Sequence, residues 1–268
     1  MTNPSALATA RFKQRLDAGE LQLGLWLTMA SETSAEIAAG AGFDWLLIDM
    51  EHSPNGLVEV TRLLRTLAGY PICPIVRPPW NDAVILKGLL DVGAAAFVIP
   101  MVQNADEAAA AVRAVRYPPR GVRGFGGTTR ANSYTRNKSY LAGADDGICL
   151  IAQVESRRAL DNVEAIAAVD GVDAIFVGYA DLAADLGHLG APGHEDVLGA
   201  SVDAIHRIRR CSRPAGFLTA DPEHQRLVVE AGARFVGVGS DAGLLVAATD
   251  RSFSEARARY GSLAQSRT

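Results

Sequence analysis

The sequence predicts a (β/α)₈ TIM barrel, spanning residues 1–268 as one domain with a helix at each end. Three observations predict it. Eight short apolar runs recur along the chain, helix-forming segments separate them, and 268 residues match the size such a barrel needs. The runs are mostly continuous rather than alternating, which is the pattern of parallel strands buried on both faces.

In order, the runs are LGLWL at 23–27, FDWLLID at 43–49, PIVRP at 74–78 and AAFVIP at 95–100. They continue with ICLIAQVE at 148–155, DAIFVG at 173–178, AGFLT at 215–219 and RFVGVG at 234–239. Between them lie SAEIAAGAG, VEVTRLLRTLA, DAVILKGLLDVGA, NADEAAAAVRAV, RALDNVEAIAAV, EDVLGASVDAIHRIRR and PEHQRLVVEAGA, with apolar positions three and four apart. Asn81, Asn104 and Asp221 read as N-caps, the last followed by Pro222 at the first helical position. Gly42, Gly93 and Gly232 read as the residues that end helices before the next strand. No G-x-G-x-x-G follows the first run, which argues against a doubly wound dinucleotide fold. Residues 117–147 form one long polar connection rich in Gly and Arg, of a length that usually serves function.

The net charge of -4 argues against a nucleic-acid partner, since gripping phosphates needs a basic surface. Arginines cluster between Arg113 and Arg136, and the simplest reading is a solvated face or an anion-site loop. Cys73, Cys149 and Cys211 are far apart and odd in number, so neither a disulfide framework nor a zinc site is expected. The polar N-terminus has no signal-peptide core and no apolar stretch is long enough for a membrane span. A soluble cytoplasmic protein is expected.

Barrel enzymes place their chemistry at the C-terminal ends of strands. The second strand ends Asp49-Met50-Glu51-His52, the third at Arg77, the fifth at Gln153-Val154-Glu155, and the sixth at Gly178 with Asp181 close behind. Glu155 and Asp181, without nearby Cys or His, fit a hard divalent ion such as Mg²⁺ or Mn²⁺. Capping of the following helices is the alternative for both. Asp49 and His52 are placed to form a carboxylate–imidazole pair for proton transfer. Arg77 is placed to bind a carboxylate or enolate bidentately, or else to close the rim with a salt bridge. Trp26 reads as a hydrophobic wall of the substrate pocket.

The stretches GLWLTMASETSAEIAAGAGFDWLLIDMEHSPN, PIVRPPWNDAVILKGLLDVGAAAFVIPMVQNADEA and AVRYPPRGVRGFGG resemble the HpcH/HpaI aldolase family. So do IAQVESRRALDNVEAIAAVDGVDAIFVGYADLAADLG and FVGVGSDAGLL, in the same order and spacing. The resemblance runs from Phe12 to Ala248 and is strongest to the branch acting on 4-hydroxy-2-oxoheptanedioate and 2-keto-3-deoxy-sugar acids. It implies a class II aldolase that splits 4-hydroxy-2-oxo acids into pyruvate, or hydroxypyruvate, and an aldehyde. It implies a divalent ion (Mg²⁺, Mn²⁺ or Co²⁺) on Glu155 and Asp181, and catalytic roles for His52, Asp49 and Arg77. Gln153, Gly178, Tyr179 and Ala180 fall beside the pyruvate. Asp91 matches an aspartate that reaches a neighbouring subunit's site, which implies an oligomer, commonly a hexamer built as a trimer of dimers. Two departures stand out. Tyr179 replaces the family's usual proline, and Arg130-Ala131-Asn132-Ser133-Tyr134 replaces a segment expected to border the aldehyde end of the pocket. A CoA-thioester lyase of the citrate-lyase β type and a non-catalytic keto-acid-binding barrel are the competing readings. The chain's lysines, Lys13, Lys87 and Lys138, lie in helix or loop contexts, which disfavours Schiff-base chemistry.

Overall fold

The computed structural model describes residues 3–265 of the chain; the outermost residues of the expected domain lie outside that range. Eight strands form a closed parallel barrel in sequence order, β8 returning to β1. They are β1 Gln22–Leu27, β2 Trp45–Asp49, β3 Cys73–Arg77, β4 Ala96–Ile99, β5 Cys149–Val154, β6 Ala174–Val177, β7 Ala215–Leu218 and β8 Phe235–Ser240. Each matches one of the apolar runs. The helices are α1 Pro4–Asp17, α2 Glu32–Gly40, α3 Leu57–Thr66, α4 Ala83–Asp91, α5 Ala105–Val115, α6 Arg157–Asp161, α7 Val163–Ala167, α8 Tyr179–Asp185, α9 Glu195–Arg210, α10 Pro222–Ala231 and α11 Asp241–Gln265. No helix among the described residues is long and apolar enough to cross a membrane.

Alternation along each strand sorts the core into two layers. Trp45 and Leu47 point into the barrel with Trp26, Ile75, Val98, Ile151, Phe176 and Phe235. Leu46 and Ile48 point out beneath the helices. The interior is aromatic, so a neighbouring strand must make room for the Trp45 ring. At Gly24 a Cβ would stand 2.1 Å from the Trp45 ring. The N-terminal mouth is plugged by α1, whose Phe12 and Leu16 join the interior layer. Cys73 and Cys149 are free and buried, as expected of small apolar side chains.

Helix ends follow local chemistry. Asn104 and Asp221 cap α5 and α10. Gly42, Gly93 and Gly232 take positive φ at the ends of α2, α4 and α10. Asn81 does not cap α4. Asp82 does, accepting from the amides of Val84 and Ile85, while the Asn81 amide donates to the Glu107 carbonyl. The segment expected as one helix after β5 breaks at Asn162, whose side chain donates to the Gln103 and Arg158 carbonyls and whose backbone leaves the helical region.

The long connection 117–147 joins α5 to β5, so it lies at the N-terminal end of the barrel, away from the strand C-termini. Its Arg130 donates to the Val92 and Leu64 carbonyls at the ends of α4 and α3. The segment 130–134 therefore does not border this chain's own pocket. At the other end of the sequence α11, 25 residues long, packs on β1 and β8 at its start. Residues 243–260 along it are all exposed.

Candidate active site

At the C-terminal rim lies a cavity of about 460 Å³, lined by side chains from β1, β3, β5 and β6 and by the loops that follow β2 and α8. Parallel register sets its first feature. Asp49 and Arg77 are direct partners across β2 and β3. Arg77 Nε donates to Asp49 Oδ1 at 2.8 Å and Nη2 donates to Oδ2 at 2.9 Å. Both residues are buried. The remaining Arg77 nitrogen, Nη1, lies 3.0 Å from Glu51 Oε2. Burial pulls the Arg77 pKa down, but the hydrogen bonds and charge of Asp49, with Glu51 and Glu155, outweigh it and leave it raised.

This arrangement overturns the expected Asp49–His52 pair. Both Asp49 oxygens are held by Arg77, and Oδ1 also accepts the Glu51 amide. It also narrows the role of Arg77, because the paired edge of its fork is already used. His52 stands exposed in the cavity wall, its Nε2 3.8 Å from Glu51 Oε2. Asn55 holds this loop in place. Its amide donates to the Leu27 carbonyl at 3.2 Å and the Asp49 carbonyl at 2.6 Å.

Glu155, at the end of β5, is buried and held from two sides. Its Oε1 accepts the Met101 amide at 2.7 Å, and its Oε2 accepts Gln153 Nε2 at 2.5 Å. Met101 sits at a φ of 54°, an uncommon conformation for a side-chain-bearing residue, in the turn after β4. Gly178 passes so close that a Cβ there would stand 2.5 Å from Glu155 Oε2. Neither carboxylate caps a helix. Ser156 caps α6, and Asp181 lies inside the first turn of α8, which begins at Tyr179 after Gly178. Tyr179 packs its ring on Phe217, with centroids 4.9 Å apart, and lines the cavity beside Ala180 and Asp181. Trp26 is a wall, as expected, packed on Phe176 with its centroid 5.3 Å away.

Glu51 is a carboxylate of this site that the sequence reading left without a role. Burial pushes its pKa up to about 7; Arg77 opposes this, and Asp49 and Asp181 add to it. Burial likewise pushes Glu155 up to about 7, against the Met101 and Gln153 hydrogen bonds and with help from Glu51 and Asp181. Glu51, Glu155 and Asp181 thus share one electrostatic site. Gln153 Oε1 is buried with no hydrogen-bond partner among the described residues, and Glu51 Oε2 is buried with only its ion-pair contacts to Arg77 and His52. Crowded, partly buried carboxylates beside an unpartnered amide oxygen fit a hard divalent cation, which would relieve both the repulsion and the desolvation. No lysine lines the cavity. Asp91 is not at this rim. It ends α4 at the opposite end, with Oδ1 3.8 Å from Arg123 Nη2.

The profile of the HpcH/HpaI aldolase/citrate lyase family matches residues 22–248. The chain belongs to that family. It is 49% identical over 255 residues to a hydroxypyruvate/pyruvate aldolase of Pseudomonas aeruginosa, covering 95% of this chain and 94% of the relative. It is 51% identical over 235 residues to a 4-hydroxy-2-oxo-heptane-1,7-dioate aldolase of Klebsiella pneumoniae, covering 87% of this chain and 89% of the relative. The crystal structure of a family protein from Burkholderia cenocepacia J2315 superposes with a TM-score of 0.89 at 41% identity, covering 92% of this chain and 99% of that one. This HpcH/HpaI chain is an aldolase, a carbon–carbon lyase. Its family depends on divalent metal ions.

Proposed function

We propose that the chain, acting as a single barrel domain, reversibly cleaves 4-hydroxy-2-oxo acids to pyruvate or hydroxypyruvate and an aldehyde. Glu155 and Asp181 hold Mg²⁺, Mn²⁺ or Co²⁺, with Glu51 beside them. The observation that carries this is the meeting of Glu155, Asp181 and a clamped Arg77 in one cavity, with Glu51 paired to that arginine. The names of the two relatives near 50% identity favour it over thioester cleavage or keto-acid capture without turnover.

A bound divalent ion supplies Lewis acidity toward the oxygens of a 2-oxo acid. Arg77 adds a fixed positive charge where enolate charge develops, pre-aimed by Asp49 so that little reorganisation accompanies reaction. Gln153, Gly178, Tyr179 and Ala180 shape the keto-acid end. Trp26 and Phe176 exclude water from one side. His52, with Glu51 at 3.8 Å, serves as the proton carrier. In cleavage it takes the C4 hydroxyl proton, the C3–C4 bond breaks, and its electron pair passes into the enolate. The methyl carbon of pyruvate then regains a proton.

A homo-oligomer, commonly a hexamer in such a family, accords with two placements. Asp91 lies too far from this chain's own rim to serve it. The exposed stretch of α11 carries Leu244 and Leu245, which line an apolar groove with Met29, Ile37 and Phe43, and further along Val246 and Phe253.

Exchange of pyruvate methyl protons in D₂O, followed by NMR, tests the reading. Chelated protein should exchange none and recover with Mg²⁺. Full exchange after chelation would reject the metal role, and no exchange in any metal form would leave a binding protein. His52→Ala should lose aldol turnover more than pyruvate affinity. Near-wild-type turnover moves the proton carrier elsewhere.

A further inference from the structure

We propose a second metal site, separate from the rim carboxylates, formed by His188, His194 and Asp196, that takes a late first-row divalent cation of the zinc class. His188 Nε2 lies 3.1 Å from Asp196 Oδ2, and His194 Nδ1 lies 3.5 Å from the same oxygen. The two imidazole rings stack with centroids 3.7 Å apart and 15° between planes. One donor atom from each of the three residues falls within 4.8 Å of the others. Ligands about 2.0–2.1 Å from zinc define a tetrahedron with edges of roughly 3.3–3.4 Å. The two measured separations, both to Asp196 Oδ2, bracket that edge, and the stacked rings must splay apart for both imidazole lone pairs to face one ion.

The donor set differs in kind from the rim. Two imidazoles and one carboxylate suit zinc, nickel or copper, whereas the all-oxygen rim suits harder ions. The location sets the local costs. His194 is the N-cap of α9, its Nδ1 accepting the Asp196 amide through a long contact of 3.3 Å. Coordination exchanges that weak bond for a stronger one. The positive end of the helix dipole opposes a cation there, and Glu195 with Asp196 in the first turn offsets it.

The site would act on the cavity from outside. The segment between α8 and α9 carries Leu189, Gly190 and Pro192 on the cavity wall. His188 and His194 flank those residues. An ion gripped by both, and by Asp196 on α9, ties the two ends of this wall together.

The test is a calorimetric zinc titration of tag-free, full-length protein in which Glu155→Gln has weakened the rim site. One equivalent should bind per chain. Adding His188→Gln should abolish it, because that side chain makes no capping bond and its loss leaves α9 intact by circular dichroism. Adding His206→Ala, an exposed histidine further along α9, should change nothing. Should Glu155→Gln not fold, Co²⁺ absorption of the otherwise unaltered chain replaces it, with a histidine-ligated band expected and lost in His188→Gln. Zinc uptake or a cobalt band unchanged by His188→Gln, or no uptake in its parent, overturns the site.

Discussion

Gly178 works by having no side chain. Glu155 occupies the space where a Cβ would be, 2.5 Å from its Oε2. Gly178→Ala must therefore push Glu155 off the Met101 and Gln153 donors that aim it. Support of this kind for a metal ligand is worth about 10–100-fold in affinity or activity. We expect a loss of that order in Mn²⁺ affinity and turnover, with a melting temperature close to wild type; unchanged Mn²⁺ binding would mean that Glu155 is not a ligand. Glu51 and Glu155 yield a second expectation. Both titrate at about 7 when folded, against an ordinary value of 4.5. Between those values the folded chain keeps protons that the unfolded chain has lost. The stabilising contribution is complete below about pH 4.5 and fades as pH rises through 7. Metal-free protein should melt at lower temperature at pH 8 than at pH 5.5, and Mg²⁺ should oppose the fall by favouring the ionised carboxylates. A metal-free melting curve that rises with pH would contradict the raised values. Of these residues, Glu155, Asp181 and Arg77 were legible because each lies at or just beyond the end of an apolar run. The Asp49–Arg77 bond was not, because it depends on which strands are neighbours. Glu51 was passed over because its charge reads as solvated until burial is known.

At the scale of elements, strands were more legible than helix ends. Parallel strands covered on both faces leave long apolar signatures, and all eight stood out. A cap is decided by one hydrogen bond, and Asp82 rather than Asn81 makes it for α4. The long connection 117–147 was read correctly as irregular, but its end of the barrel follows only from the element order. The α11 helix carries the prediction proper to this scale. Its 25 residues span about 37 Å, and residues 243–260 have no cover from its own barrel. Leu245→Asp with Phe253→Asp should lower the mass measured by light scattering and leave far-ultraviolet circular dichroism unchanged. An unaltered mass would place the contacts between subunits elsewhere.

For the molecule as a whole, closure of the barrel and its plug are one problem. Eight strands leave an interior that only large side chains fill, and α1 supplies the bottom layer with Phe12, packed edge-on to Phe235 at 5.9 Å. Truncating a buried phenylalanine costs about 3–5 kcal/mol. Phe12→Ala should lower the stability measured by urea unfolding by that amount while the metal-loaded rim, at the opposite mouth, keeps its KM for the keto acid. A large rise in KM would show that the two ends are mechanically linked.

The clamp of Asp49 on Arg77 has a practical bearing on redesign. A guanidinium that cannot swing acts as a fixed jig, so every donor molecule must present the same 2-oxo acid head to it. Variation should be tolerated at the far side, where Leu189 and Pro192 meet the cavity. Mutant libraries seeking new acceptor aldehydes belong on those two positions, and changes at Asp49 would blunt the tool rather than retune it.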